Sequence, residues 1–158
     1  MNKITISIVF LMAVLVTSCK PDRPASQSET ATGKDASSAV ADNADPSKGI
    51  GPVQHVTLHT PLEQERIQRG QAIYEMKCQA CHRLDETRLV GPGWSGVTKR
   101  RTPEWIMNMI TNVDVMLDQD PEAQKLLELC LTRMPNQNVS VGDARDVLEF
   151  MRKNDGEE

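Results

Sequence analysis

The run Cys78-Gln79-Ala80-Cys81-His82 constrains this chain more than any other part of its sequence. On a helical turn, two cysteines three positions apart present both sulfurs to the same side, and the histidine follows directly. With 4 Cys and 3 His among 158 residues, chance alone would produce such a run roughly 0.002 times. The three side chains therefore share a chemical role.

We interpret this run as a site of covalent haem attachment. Cys78 and Cys81 would add to the two vinyl groups of haem to give haem c, and His82 would bind the iron as an axial ligand. A thioredoxin-like redox pair requires a βαβ setting, and a zinc site requires a second Cys/His pair, but the sequence has neither. Aromatic residues make up only 3% of the chain, so a large apolar cofactor would also help to fill the core.

The N-terminus has the features of an export signal that ends in a lipid attachment site. Lys3 precedes an apolar run over residues 4–16, which is too short to span a bilayer. The run ends in Val16-Thr17-Ser18-Cys19, which resembles the lipobox of bacterial lipoproteins. We therefore expect residues 1–18 to be a lipoprotein signal peptide and Cys19 to carry the lipid. The alternatives are an ordinary secretory signal and an uncleaved anchor.

Residues 20–60 have the composition of a flexible linker. Ser, Ala, Thr, Asp, Asn, Gly and Pro predominate, the charges nearly balance, and no apolar periodicity is evident. Such a segment buries too little apolar surface to offset its chain entropy. Residues 19–60 are therefore predicted to be the lipidated cysteine and a disordered tether with an r.m.s. reach of roughly 35 Å. The folded domain is expected to span residues 61–158.

Helical periodicity dominates this folded part. Apolar or small residues recur every three or four positions over residues 62–81, with Gly70 in the middle of this first helix. Glycine costs about 1 kcal/mol relative to alanine there, so Gly70 is either a point of close approach by another helix or a tolerated surface glycine. The last helix begins at a capping box, Ser140-Val141-Gly142-Asp143, and is the expected partner.

Two shorter helices are predicted between these. Thr102-Pro103-Glu104 and Asp120-Pro121-Glu122 each combine an N-cap residue, a first-turn proline and a first-turn acid, and an apolar stripe follows each of them. No segment shows convincing strand alternation. The predicted fold class is therefore all-α, with about four helices around one covalently bound haem.

The second axial ligand of the iron is expected to be a methionine. Met134 lies in a connection between two predicted helices, where Pro135 prevents helical continuation. A loop methionine fixed in this way can place its sulfur over the haem, so Met134 is the preferred ligand and Met116, also in a predicted connection, is the second choice. The other domain methionines are Met76, close to the histidine side, and three that are expected to fill the core: Met107, Met109 and Met151.

In their order along the chain, these elements resemble the class I cytochromes c over nearly all of residues 61–158. The matching features are Gly70 and Tyr74, the C-x-x-C-H run, Val90-Gly91-Pro92, Met134-Pro135 and the last helix. The resemblance implies that the carbonyl oxygen of Pro92 accepts a hydrogen bond from Nδ1 of His82 and so orients the ring. It also implies that Trp94 or Trp105 donates to a haem propionate.

Two features depart from this family pattern: the acylated N-terminal extension and Cys130. We interpret Cys130 as a buried thiol on an apolar stripe, with a redox or intermolecular role as the alternative. The run Lys99-Arg100-Arg101 is either a docking patch or a solvated loop.

The resemblance implies an electron-transfer protein rather than an enzyme, because His/Met ligation fills both axial positions of the iron. The expected carrier is exported, is held on a bacterial membrane by its lipid, and has its haem domain in the periplasm or on the cell surface. Its donor and acceptor would be respiratory redox proteins, with a terminal oxidase, a nitrous oxide reductase or another reductase as possible acceptors.

Other functions are less well supported by the sequence. The formal net charge is −4 and basic residues do not alternate with aromatics, which argues against nucleic acid as a partner. No small-molecule substrate is expected. The alternatives to a carrier are a haem enzyme, and a redox or gas sensor with a displaceable sixth ligand.

Overall fold

The structure, a computed structural model, describes residues 45–158, so the predicted signal peptide, Cys19 and the first part of the predicted tether lie outside the described residues. Six α-helices are present in the described part: α1 Gln64–Ile73, α2 Val97–Arg100, α3 Pro103–Thr111, α4 Val113–Gln119, α5 Pro121–Cys130 and α6 Val141–Asn154. A 3₁₀ turn, Pro46–Lys48, precedes α1, and a π-helical turn, Tyr74–Cys78, follows it. Over residues 45–158 the extended pairing is limited to one isolated bridge, His82 with Arg88, which confirms the all-α class. Among these helices none is both long and apolar enough to cross a membrane.

The structure differs from the expectation of about four helices at two places. α2 is a single turn, which is too short for apolar periodicity to reveal. α4 occupies the predicted connection that contains Met116, and the Met116 side chain is fully buried within it. Its sulfur accepts a hydrogen bond from the backbone N–H of Ile50 at 3.0 Å. These contacts exclude Met116, the second choice, as an axial ligand.

Residues 45–60 pack on the domain, where the composition predicted a free tether. We refer to them as the N-terminal strap. Val53 is 6% exposed and joins the hydrophobic core. The fully buried side chain of Asn108 in α3 accepts from the Val53 N–H at 3.0 Å and donates to the carbonyl oxygens of Lys48 and Val53 at 3.0 and 2.9 Å. The folded domain therefore begins before residue 61, the predicted boundary, because side chains of α3 provide hydrogen-bond partners for backbone groups of the strap.

The N-caps predicted for the middle and last helices are present. Thr102 Oγ1 accepts from the Trp105 N–H at 3.2 Å, and Asp120 accepts from two amides of the first turn of α5. Ser140 Oγ accepts from the Asp143 N–H at 3.1 Å. The Asp143 carboxylate accepts from the Ser140 hydroxyl at 2.8 Å instead of from the Ser140 backbone N–H, so the predicted capping box is formed only in part.

Helices α1 and α6 meet at Gly70, and the interpretation of this residue as a point of close approach is confirmed. A Cβ at Gly70 would lie 2.1 Å from the carbonyl oxygen of Asp146. The Asp146 carboxylate also accepts from Arg66 and Arg69, each at 2.6 Å. Burial acts to raise the pKa of Asp146, but the hydrogen bonds from Arg69 and Arg66 outweigh it and hold the pKa below its ordinary value. The contact thus combines close backbone packing with ion pairs.

Replacing Gly70 with Ala should destabilise the protein. The new methyl group would meet backbone atoms of α6 that cannot move alone, and this cost exceeds the gain of about 1 kcal/mol in helix propensity. We expect a net loss of about 2 kcal/mol in the free energy of unfolding, measured by urea denaturation of the holoprotein. Gly142→Ala is the matched control, because its Cβ would meet only Ser140 Oγ, at 3.8 Å. A Gly70→Ala protein as stable as this control would contradict the close-approach interpretation.

Replacing Asn108 with Ala should loosen the strap, because two carbonyl oxygens and one amide would lose their buried partner. We expect a loss of about 3 kcal/mol in the free energy of unfolding and faster proteolysis within residues 45–60. Gln54→Ala is the control, since this exposed amide bonds only the nearby Gly51 carbonyl. Equal protection of the strap in both variants would be evidence against its attachment through Asn108.

Candidate functional site

A cleft with predominantly apolar walls lies between the loop that follows α1 and helices α2 to α5. It encloses about 1160 Å³ of empty space, part of which is open to solvent. Its apolar walls include Val97, Ile106, Met109, Ile110, Leu126 and Leu127. A space with walls of this kind fits a large apolar cofactor such as haem.

His82 lines this cleft with its ring held in one orientation. Its Nδ1 lies 2.9 Å from the carbonyl oxygen of Pro92. A carbonyl oxygen can only accept, so Nδ1 carries the proton and the lone pair of Nε2 is available to a metal. Burial lowers the pKa of His82, and the bond to the Pro92 carbonyl opposes this only in part. The imidazole is therefore neutral at pH 7, which is the form that binds iron.

Gly91 lets the backbone pass directly against the His82 ring. A Cβ at this position would lie 2.4 Å from Cε1 of His82. The ring centroid of Trp94 lies 5.7 Å from that of His82, and the Tyr74 hydroxyl donates to the His82 carbonyl oxygen at 2.9 Å. The sequence marked Gly91 only as part of a Val-Gly-Pro match. Its steric role could not be predicted, because it depends on contact with the side chain of His82, nine residues earlier in the chain.

The two cysteines lie where the π-helical turn ends. The Cys78 carbonyl oxygen accepts from the N–H groups of Cys81 and His82, at 3.0 and 2.9 Å, which closes the turn that joins the three residues. Cys81 lines the cleft, and Cys78 packs against the core. Burial raises the pKa of the Cys78 thiol to about 11. A neutral sulfur is therefore favoured at this position, as it is in a thioether.

Met134 lines the same cleft as His82 and is half-buried. Cys130 also lines it, on the same stripe of α5 as Leu126 and Leu127, but it is half-buried where a buried thiol was expected. The reason is that Cys130 is the last residue of α5, where the helix ends at the wall of the cleft. Of the predicted site residues, the structure thus brings Cys81, His82, Pro92 and Met134 together at one cleft, with Cys78 beside it.

The two tryptophans have different roles. The Trp105 indole N–H donates to Asp120 Oδ1 at 3.1 Å within the core, which removes Trp105 as a propionate donor. Trp94 also lines the cleft, so it is the remaining candidate. Sequence reasoning could not separate them, because the decisive partner of Trp105 is an N-cap residue fifteen positions away.

The basic run before α3 is largely engaged by the domain itself. Arg101 lies over the Trp105 ring at 4.7 Å and pairs with Glu122 at 2.9 Å. Arg100 donates to the Ser95 carbonyl oxygen at 2.8 Å. Both arginines also line the cleft.

The cytochrome c family model matches residues 67–155, which is more than half of the chain. This chain belongs to the cytochrome c family. Its membership, with the C-x-x-C-H spacing of residues 78–82, establishes haem c as its covalently bound, iron-containing cofactor and electron transfer as its general function.

Solved structures of cytochromes c show the same fold. The cytochrome c from Rhodothermus marinus is 37% identical over 70% of this chain and 97% of that chain, with a TM-score of 0.67. An engineered Rhodothermus marinus cytochrome c, Rma TDE, is 35% identical over 70% and 98%, with a TM-score of 0.66. The same engineered protein bound to a carbene intermediate is 34% identical over the same shares, with a TM-score of 0.64. These matches confirm the class I cytochrome c fold. A comparison with curated protein sequences gives no match.

Replacing Gly91 with Ala should displace the His82 ring, because the added methyl group and the imidazole cannot occupy their positions together. We expect the free energy of unfolding of the holoprotein to fall by about 2 to 3 kcal/mol. The yield of covalent haem per polypeptide, measured by pyridine haemochrome, should fall as well. Gly142→Ala again serves as the control, and an unchanged haem yield and stability in Gly91→Ala would refute the steric role.

Proposed function

We propose that this cytochrome c is a one-electron carrier whose haem iron has His82 and Met134 as its two axial ligands. The observation that carries the proposal is that both side chains line one apolar cleft, where the Pro92 carbonyl and the close approach of Gly91 restrain the His82 ring. A neutral imidazole and a thioether together fill both axial positions, and this arrangement favours electron transfer over substrate binding.

The protein groups at the cleft support this role in two ways. The haem supplies the one-electron couple, and the walls of the cleft around it are predominantly apolar. An apolar setting disfavours the additional positive charge of the oxidised state, so it raises the reduction potential, as methionine ligation also does. The bond from His82 Nδ1 to the Pro92 carbonyl restrains the orientation of the ring.

A haem enzyme or a sensor requires a sixth position that is open or easily opened. The engineered Rhodothermus marinus cytochrome c bound to a carbene intermediate makes this alternative worth testing for the present chain. The carrier is favoured because Met134 is placed at the cleft and Pro135 directly follows it, which restrains the connection that holds the sulfur.

We also propose that the carrier is a lipoprotein attached to a bacterial membrane through Cys19, with the haem domain in the periplasm or on the cell surface. The support is the lipobox-like run that ends at Cys19. Since residues 45–60 belong to the domain, the proposed tether comprises residues 20–44. The proposed partners are respiratory redox proteins that this tether lets the domain reach, with a terminal oxidase or a reductase as acceptor.

Replacing Met134 with Ala should remove the sixth ligand. Ferric wild-type protein should show the weak near-infrared charge-transfer band of Met–Fe ligation, and the variant should lose it completely. The ferrous variant should bind carbon monoxide, whereas the wild type should not. Met109→Leu is the control, because Met109 lines the same cleft from within α3. If the band survives in Met134→Ala, the axial assignment is wrong, and carbon monoxide binding by the wild type would favour the sensor or enzyme.

Replacing Cys19 with Ser should abolish lipid attachment. Cells that express the wild type should incorporate labelled palmitate into the protein, and cells that express Cys19→Ser should not. Cys130→Ser is the control, since Cys130 is at the cleft and should leave labelling unchanged. A wild-type protein without label would reject the anchor and leave the carrier proposal intact.

A further inference from the structure

The loop over residues 83–96 carries the groups that restrain the His82 ring. The Pro92 carbonyl oxygen lies 2.9 Å from Nδ1, and Gly91 brings the backbone directly against the ring. The ring centroid of Trp94 lies 5.7 Å from that of His82. Any displacement of this loop therefore changes the surroundings of the imidazole.

Two backbone bonds join the ends of this loop, residues 83–85 and 94–96, which we call the loop base. The Trp94 N–H donates to the Arg83 carbonyl oxygen at 2.9 Å, and the Ser95 N–H donates to the Asp85 carbonyl oxygen at 3.3 Å. These bonds hold the two ends to each other. They do not attach the loop base to the helices of the domain.

The end of α6 provides that attachment through two consecutive residues. The side-chain amide of Asn154 donates to the Leu84 carbonyl oxygen at 3.0 Å. The Asp155 carboxylate accepts from the Gly96 N–H at 2.6 Å, and from the N–H and hydroxyl groups of Thr98 at 2.9 and 2.7 Å. We call Asn154 and Asp155 the C-terminal bracket. It holds both ends of the loop to α6, so that backbone groups on each side have a fixed partner.

Asp155 is an unfavourable residue for the end of a helix. α6 ends there, and the C-terminal end of a helix carries a partial negative charge that repels a carboxylate. The preceding residues Arg152 and Lys153 have the charge that suits this end. The Asp155 N–H donates to the Met151 carbonyl oxygen at 2.9 Å, which fixes its backbone relative to α6. The bonds to Gly96 and Thr98 therefore compensate for an acid that the helix itself disfavours.

We propose that the C-terminal bracket positions the Pro92 carbonyl against His82 and so tunes the electron donation of the imidazole to the iron. The proposal rests on the proposed carrier function and adds the residues that adjust it. Neither bracket residue is among the described residues that line the cleft, so both are positioning residues that act through the loop. A hydrogen bond from Nδ1 raises the basicity of a ligating histidine and favours the ferric state. Loosening the bracket weakens this bond and therefore favours the ferrous state.

Redox titration of the holoprotein tests the proposal, with the ratio of ferrous to ferric protein read at the wild-type midpoint potential. Asp155→Ala removes the acceptor of Gly96 and Thr98, and we expect the ratio to rise at least about threefold. Asp155→Asn is the matched control, because it removes the same charge but keeps one acceptor oxygen, so the rise should be smaller. Asn154→Ala changes no charge and should also raise the ratio.

The Nδ1 proton of His82 reports on the bond itself. By NMR of ferrous protein with isotope-labelled histidine, its exchange with water should be at least about threefold faster in Asp155→Ala and in Asn154→Ala, because the bond opens more often. Glu158→Gln removes a charge from an exposed residue nearby and should leave both the exchange and the redox ratio nearly unchanged. The near-infrared band should persist in every variant, and its loss in Asp155→Ala would assign the bracket to the Met134 side of the cleft instead.

The redox ratio separates the remaining outcomes. An unchanged ratio in Asp155→Ala and Asn154→Ala would reduce the bracket to a support of the fold. A lower ratio would show that its role is to close the wall of the cleft against water. Equal rises in Asp155→Ala and Asp155→Asn, with none in Asn154→Ala, would attribute the effect to charge alone. The absence of a reversible one-electron couple in the wild type would reject the carrier function itself, whereas an intact couple with an unchanged ratio would reject only the bracket.

Discussion

The close contact of α1 with α6 at Gly70 determines where the chemical groups of this domain lie. α1 continues into the π-helical turn that presents the two cysteines, and Tyr74 of that turn donates to the His82 carbonyl oxygen. At the far end of α6, the Asp155 carboxylate accepts from the backbone N–H groups of Gly96 and Thr98, which holds α2 against the cleft. One crossing of two helices therefore positions both the attachment turn and one wall of the site.

The attachment residues and the main helices were predictable from sequence, because each depends on residue types at fixed short spacings. C-x-x-C-H is such a pattern, and so are the caps at Thr102, Asp120 and Ser140, whose bonds reach only two or three residues along the chain. Gly70 was open to two interpretations. The structure decided between them, since the atom it approaches belongs to Asp146, far along the sequence.

The strap and the surroundings of Met116 could not be predicted in the same way. The strap has the composition of a linker, and its order comes from side chains of α3, including Asn108 and Glu104, which accept from the amides of Val53 and Val56. These bonds join residues about fifty positions apart, so they produce no periodic pattern in the sequence of the strap. The Met116 sulfur is likewise occupied by the backbone N–H of Ile50, a residue of the strap. Because the predicted domain began only at residue 61, the sequence alone could not show that Met116 is unavailable as a ligand.

The strap has a mechanical consequence for a domain that is held by its N-terminus. The Thr102 hydroxyl donates to the Ser47 carbonyl oxygen at 2.6 Å, and the Asn108 side chain holds Lys48 and Val53. Tension applied to the chain before residue 45 would load these bonds to α3 before it reached α1. With the proposed anchor at Cys19, the strap would take up this tension before it reached the turn that carries Cys78, Cys81 and His82.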